Sequence, residues 1–184
     1  MIVERQILKN VLLLKPNILK DERGYFFESY NKKAMGSLGI NEEFIQDNIS
    51  YSEKTYTLRG LHFQYPPYSQ SKLIRVINGS IFDVLIHLSE KYSSFEQYSS
   101  IVIGPNDGWI YIPKGFAHGF LTLTKNTTVL YKVDSFYNSK YEHGLLWNDP
   151  YFDINWPIKN KKPILSNKDL NNDLWTNLKN RIKS

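Results

Sequence analysis

Lys72-Leu73-Ile74-Arg75-Val76-Ile77-Asn78-Gly79-Ser80-Ile81-Phe82-Asp83-Val84-Leu85-Ile86-His87-Leu88 decides the fold class. Ile74, Val76 and Ile77 in the first arm and Ile81, Phe82, Val84 and Ile86 in the second favour extended backbone. Asn78-Gly79 between them is the pair that favours a type I′ turn, so the spacing predicts a hairpin. In the second arm Phe82, Val84, Ile86 and Leu88 share one apolar face, while Asp83 and His87 flank Leu85 on the other. Two ionisable groups facing the same way on a core strand imply a polar cavity.

The same pattern continues on both sides. Downstream, Ile101 to Ile103 and Trp109 to Ile112 read as short strands around Gly104-Pro105-Asn106-Asp107-Gly108. Leu121 to Thr124 and Thr127 to Val133 predict a second hairpin around Lys125-Asn126. Upstream, Val11 to Leu14 is a strand stopped by Lys15-Pro16, and Tyr25 to Tyr30 is another after the turn Asp21-Glu22-Arg23-Gly24. Asn31 to Leu38 predicts a short helix ended by Gly39, and Phe44 to Ile49 and Leu58 to Gln64 are further strands. Many short strands with few helices mean a β-sandwich or barrel. The chain closes differently. Leu170, Leu174, Leu178 and Ile182 recur every four residues, predicting an amphipathic helix with Ser166-Asn167-Lys168-Asp169 at its N-cap. No repeat, low-complexity tract or linker appears, so residues 1–184 are read as one domain.

Composition narrows the classes. The chain of 184 residues has no cysteine, which excludes a disulfide framework, a thiolate metal site and a cysteine nucleophile. No signal-like apolar core opens the chain and no run approaches a membrane span, so the expectation is a cytoplasmic protein that does not enter a membrane. A formal charge of +5 is compatible with a phosphate-bearing ligand and does not require nucleic acid.

Leu58-Arg59-Gly60-Leu61-His62-Phe63-Gln64 is the stretch richest in chemistry. Arginine offers a planar fork for phosphate, and histidine exchanges protons near neutral pH. Strict strand alternation puts Arg59 and His62 on opposite faces; a bulge at Gly60 would bring both to one cavity. The bland alternative is a core histidine and a solvated arginine. Pro113-Lys114-Gly115-Phe116-Ala117-His118-Gly119 resembles the second motif of cupins, many of which bind a metal through an earlier His-x-His pair. Here that earlier strand offers only His62 and Gln64, and His87 and His143 have no ligand-like spacing. No metal and no cofactor is expected.

The motif from Leu58 to Gln64, with Gln70 to Val76, Pro113 to Phe120, Tyr131-Lys132, Trp147-Asn148-Asp149, Trp156-Pro157 and Leu165 to Asp169, resembles the dTDP-4-dehydrorhamnose 3,5-epimerase family. Asp21 to Ser29 and Gln46-Asp47-Asn48 extend the match toward the N-terminus. The resemblance implies a cupin-type jelly-roll barrel, mainly β, that is metal-free and forms a homodimer by exchanging N-terminal strands. It implies a nucleotide-linked 4-keto-6-deoxyhexose as substrate, inverted at C3 and C5. His62 matches the base, Asp169 the carboxylate that orients it, Tyr131 the proton donor, and Lys72 a cation near the C4 oxygen. Arg23, Arg59 and Lys168 match contacts to the diphosphate and sugar, and Tyr137 the residue stacking on the base. Phe26, Glu28, Gln46, Asn48, His118 and Glu142 match further substrate-contacting positions. Read singly, each has a structural alternative: a helix capping box for Asp169, a sheet tyrosine for Tyr131, a snorkelling lysine for Lys72.

The chain departs from the family pattern at His87 and Ser89, near Ser93-Ser94-Phe95, and at Ile49. None of these is in the proton-transfer set. They bear on the sugar and on whether one carbon or both are inverted. The alternatives are an epimerase of a single carbon or of a GDP- or CDP-linked sugar, and a cupin that only binds a nucleotide sugar. A metal-dependent cupin oxygenase is a third class, disfavoured by the missing His-x-His.

Overall fold

The computed structural model describes residues 1–88, 97–159 and 161–182. In chain order the elements are β1 (Ile2–Leu8), β2 (Val11–Lys15), β3 (Leu19–Asp21), β4 (Gly24–Phe26), α1 (Lys32–Ser37), β5 (Gln46–Ser52), β6 (Leu58–Gln64), β7 (Lys72–Asn78) and β8 (Ile81–His87). There follow β9 (Tyr98–Ile103), β10 (Trp109–Ile112), β11 (Phe116–Thr122), β12 (Thr127–Val133), β13 (Glu142–Gly144), α2 (Asn167–Leu170) and α3 (Trp175–Ile182). A six-stranded sheet in the order β1-β2-β10-β7-β12-β5 faces a five-stranded sheet in the order β13-β6-β11-β8-β9. Strands β3 and β4 form a separate two-stranded ribbon. This is the mainly β, jelly-roll arrangement that the strand spacing and the cupin resemblance imply, as two packed antiparallel sheets.

Three apolar layers hold it together. Between the sheets, Leu13, Ile74, Val76, Ile110 and Val129 meet Ile81, Leu85, Ile103, Phe116 and Phe120. Outside the five-stranded sheet, Leu58, Leu61, Val84 and Ile86 are covered by Leu145, Trp156, Trp175 and Leu178. Outside the six-stranded sheet, Leu14, Leu73 and Trp109 are covered by Met35 and Ile40. Strand β8 is therefore buried on both faces. The Val84–Ile86 face meets the C-terminal layer, and the Asp83–Leu85–His87 face looks into the sandwich.

The two expected hairpins are not hairpins. Strands β7 and β8 lie in opposite sheets, as do β11 and β12, so neither pair is joined by ladder hydrogen bonds. Their turns are corners at which the chain passes between layers. The chain reverses at both corners, but not through the type I′ turn expected at Asn78-Gly79: Gly79 (φ 83°) adopts the left-handed backbone and Asn78 does not, while Asn126 (φ 54°) supplies it at the other corner. The two corners clasp one another: Asn78 Nδ2 donates to the Asn126 carbonyl at 2.7 Å, and the Ser80 N–H donates to Thr124 Oγ1 at 3.0 Å.

Two other expectations are modified. The strand from Tyr25 ends at Phe26 rather than Tyr30. The single C-terminal helix is two, because Asn171 to Leu174 leave the helix and Asp173 bridges to Leu145. Leu170 and Leu174 are consequently exposed, and Trp175 with Leu178 makes the buried stripe. The short helix α1 forms where expected, its N-cap Asn31 accepting the Ala34 N–H at 3.0 Å. Ser89 and Ser93 to Phe95 lie outside the described residues.

Candidate active site

A cavity of about 430 Å³ opens between the sheets, lined by Arg59 and His62 of β6, Lys72 of β7, His118 of β11, Tyr131 of β12, and Lys168 and Asp169 of α2. An adjoining hollow of about 360 Å³ shares His62, Lys72 and Tyr131 and adds Gln46, Asn48, Tyr137 and Glu142. Every site residue expected from the sequence reaches one of these two spaces except Arg23, Phe26 and Glu28.

Strand β6 presents both Arg59 and His62 to the cavity because it bulges. Its register against β11 runs His62↔His118 and then Arg59↔Phe120, so β6 carries one residue more than its partner there. Gly60 absorbs the extra residue with φ 116° and lies so close to β11 that a Cβ would sit 2.6 Å from the Gly119 Cα. Only glycine fits that crossing. The bulge turns Arg59 and His62 toward one cavity.

His62 Nε2 lies 2.6 Å from Asp169 Oδ1. A carboxylate only accepts, so Nε2 carries the proton and Nδ1 is left with the lone pair that can take one from carbon. Asp169 is held on the first turn of α2, where its N–H donates to Ser166 Oγ at 3.1 Å. The capping contact and the contact with His62 thus coexist in Asp169. Burial pushes the Asp169 carboxyl up, but hydrogen bonding and charge from His62, with help from Ser166 and the Gly60 N–H, outweigh it and leave it below the usual range.

The other groups are tuned by the same few causes. Burial lowers Lys72 to about 8, against the opposing pull of Glu142 and Asp83. Burial raises the Tyr131 phenol, with Glu142 adding to the shift and Arg59 working against it. Tyr131 therefore holds its proton at neutral pH. Arg59 donates from Nε to Ser52 Oγ at 3.2 Å and from Nη2 to the Tyr51 carbonyl at 2.9 Å, which fixes the guanidinium at the mouth. Glu142 accepts from the Tyr137 hydroxyl at 2.7 Å and from the Lys168 ammonium. Burial pushes Glu142 up, and those two partners, with the charge of His62, bring it below its ordinary value. Gln64 accepts the Asn138 N–H at 2.7 Å and so ties the loop bearing Tyr137 to β6.

Arg23, Phe26 and Glu28 stand elsewhere. Arg23 sits on the ribbon, 90% exposed and paired with Asp21 at 2.6 Å. Phe26 and Glu28 border a separate hollow with Met1, Asn17 and Leu19. Asp83 was read only as an inward-facing acid, and the structure adds it to the site: its Oδ1 lies 2.7 Å from His118 Nε2. Among the described residues no three His, Asp or Glu side chains cluster as metal ligands do, and no helix is long and apolar enough to cross a membrane.

The family model for dTDP-4-dehydrorhamnose 3,5-epimerase matches residues 5–177. The dTDP-4-dehydrorhamnose 3,5-epimerase of Salmonella typhimurium is 42% identical over 171 residues, covering 92% of each chain. Among solved structures, the Bacillus anthracis dTDP-4-dehydrorhamnose 3,5-epimerase with TDP and PPi bound superposes with a TM-score of 0.90 at 44% identity, covering 94% of this chain and 98% of that one. A Legionella pneumophila epimerase in complex with dTDP-4-keto-L-rhamnose gives a TM-score of 0.90 at 32% identity, covering 98% and 95%. This chain belongs to the dTDP-4-dehydrorhamnose 3,5-epimerase family.

Proposed function

We propose that this cavity converts dTDP-4-dehydro-6-deoxyglucose to dTDP-4-dehydrorhamnose by inverting C3 and C5. The observation that carries the reading is the His62–Asp169 pair facing the same cavity as Tyr131 and Lys72. C3 and C5 both flank the C4 ketone, so loss of either hydrogen leaves an enolate whose charge rests on the C4 oxygen. His62 Nδ1 takes the proton, and Asp169 stabilises the imidazolium that results. Lys72, still an ammonium at neutral pH, stabilises the charge gathering on the oxygen. Tyr131 returns a proton to carbon from the opposite face. Each inversion leaves an imidazolium and a phenolate, which solvent restores by taking one proton and supplying another.

Arg59 and Lys168 are assigned to the diphosphate and Tyr137 to the base, with Gln46, Asn48, His118 and Glu142 around the sugar. The ligands named for the Bacillus and Legionella relatives support a thymidine diphosphate carrier. We further assign Arg23, Phe26 and Glu28 to the cavity of a second copy, in a homodimer whose N-terminal strands exchange. The whole chain is read as one catalytic domain. The test is to incubate the protein with dTDP-4-dehydro-6-deoxyglucose in D2O, without added metal or nicotinamide, and locate deuterium by NMR. Label at C3 and C5 is expected. Unlabelled substrate would leave a binding protein, and label at one carbon alone a single-carbon epimerase.

A further inference from the structure

A second imidazole–carboxylate pair lies behind the first. His118 on β11 is the cross-strand partner of His62 on β6 and of Leu85 on β8. Its Nε2 meets Asp83 Oδ1 at 2.7 Å. Asp83 is completely buried, at 0% exposure, and its Oδ2 has no hydrogen-bond partner among the described residues. A carboxylate placed there is costly unless positive charge or polar hydrogens compensate it. Such groups line the same cavity: His118 touches Asp83 directly, and Lys72 feels its charge.

We propose that Asp83 is a positioning residue of the epimerase site, fixing His118 through Oδ1 and serving as a buried counter-anion to the cations that line the cavity. The inference rests on the epimerase reading and assigns Asp83 no contact with substrate. By donating Nε2–H to Asp83, His118 is held in one tautomer with Nδ1 as an acceptor. The titratable and charged groups around Lys72 are His62 and Arg59 on β6, His118 on β11, Tyr131 on β12, Glu142 on β13, Lys168 and Asp169 on α2, and Tyr137. Among the described residues, Glu142 and then Asp83 counter the effect of burial on Lys72. Glu142 is already engaged by Lys168 and Tyr137. Asp83 is engaged through Oδ1 alone, and its Oδ2 has no hydrogen-bond partner among the described residues.

Asp83→Asn keeps the shape and removes the charge. We expect kcat to fall roughly ten- to a hundredfold, the worth of one hydrogen bond to a charged group, with little change in KM. The alkaline limb of the kcat–pH profile should also move to lower pH, because Lys72 gives up its proton more readily. An unmoved limb overturns the proposal whether or not kcat falls, since a purely structural loss lowers the rate without moving the limb. Two spectra of histidine- and lysine-labelled protein give independent checks. In wild type, 15N shifts should report the Nε2–H tautomer of His118, and an Nδ1–H tautomer overturns the proposal even if the variant does not fold. In the folded variant, the 13Cε titration of Lys72 should move down, whatever the reaction is. Wild-type deuterium incorporation, measured in the same preparation, separates the two failures. If wild type does not label the sugar, the epimerase reading falls, while the tautomer and lysine titration still decide the role of Asp83.

Discussion

Lys72 occupies a position where a cation is costly, and burial brings its pKa down to about 8. The protonated form dominates below that value and is lost above it. If the ammonium stabilises the enolate, activity falls as pH rises through about 8. Lys72→Arg should lower the rate, because a planar fork cannot copy a point charge, yet remove this alkaline limb, because a guanidinium stays charged. Initial rates from neutral to alkaline pH check both, and an alkaline limb that persists in the variant assigns it to another group. Tyr131→Phe keeps the ring and removes only the phenolic proton. It should retain some exchange of solvent deuterium through His62 while losing inversion by a hundred- to ten-thousandfold, the usual order for a positioned general acid. Inversion at the wild-type rate would reduce Tyr131 to packing. At this scale most of the site was legible, because His62, Lys72, Tyr131 and Asp169 sit in recognisable motifs. Asp83 was half legible: alternation along β8 shows that it faces away from Val84 and Ile86, but only the pairing of β8 with β11 brings His118 to it.

Strand β6 works as an element because Gly60 lets it bulge, and that dependence can be measured. Gly60→Ala forces a methyl against the Gly119 Cα at 2.6 Å and the His118 carbonyl at 2.8 Å, on a backbone with φ 116°. Strain and overpacking together should destabilise the fold by roughly 2–4 kcal/mol and displace Arg59 from His62. Gly36→Ala is the control, since a Cβ there meets only Asn41 Oδ1 at an ordinary 3.6 Å. Denaturant unfolding of the pair separates the two, and equal stability would mean that the crossing has slack. The elements also show where local reading ends. Asn78-Gly79 predicts a reversal and a reversal occurs, but pairing is decided by which apolar faces can be buried together. Those faces put β7 beside β10 and β12, and β8 beside β9 and β11. The period of four from Leu170 to Ile182 likewise spans a break: Asp173 bridges to Leu145, and the Trp175 N–H donates to Asp149 at 2.5 Å. Neither partner is near in sequence.

At the scale of the molecule, the chain keeps three expected substrate contacts away from its own cavity. Among the described residues the β3–β4 ribbon joins neither sheet, and it leaves Tyr25 66% and Phe26 67% exposed. Exposed aromatics beside an arginine on such an arm suit a surface that another subunit covers. If Arg23 acts in the cavity of a second copy, Arg23→Ala and His62→Ala impair different subunits of the same site. Each variant alone should lose most of its activity, Arg23→Ala chiefly by weaker substrate binding and His62→Ala by loss of the base. Mixed and allowed to exchange subunits, they form heterodimers in which one cavity has an intact His62 and receives an intact Arg23. The other cavity lacks both. Random pairing places one intact site on half of the dimers, so activity should recover to about a quarter of wild type. Sedimentation velocity should show a dimer throughout. Failure to recover in a mixture shown to have exchanged would place Arg23 in its own subunit's site or outside catalysis. A fully active monomer would remove the second copy from the reaction altogether.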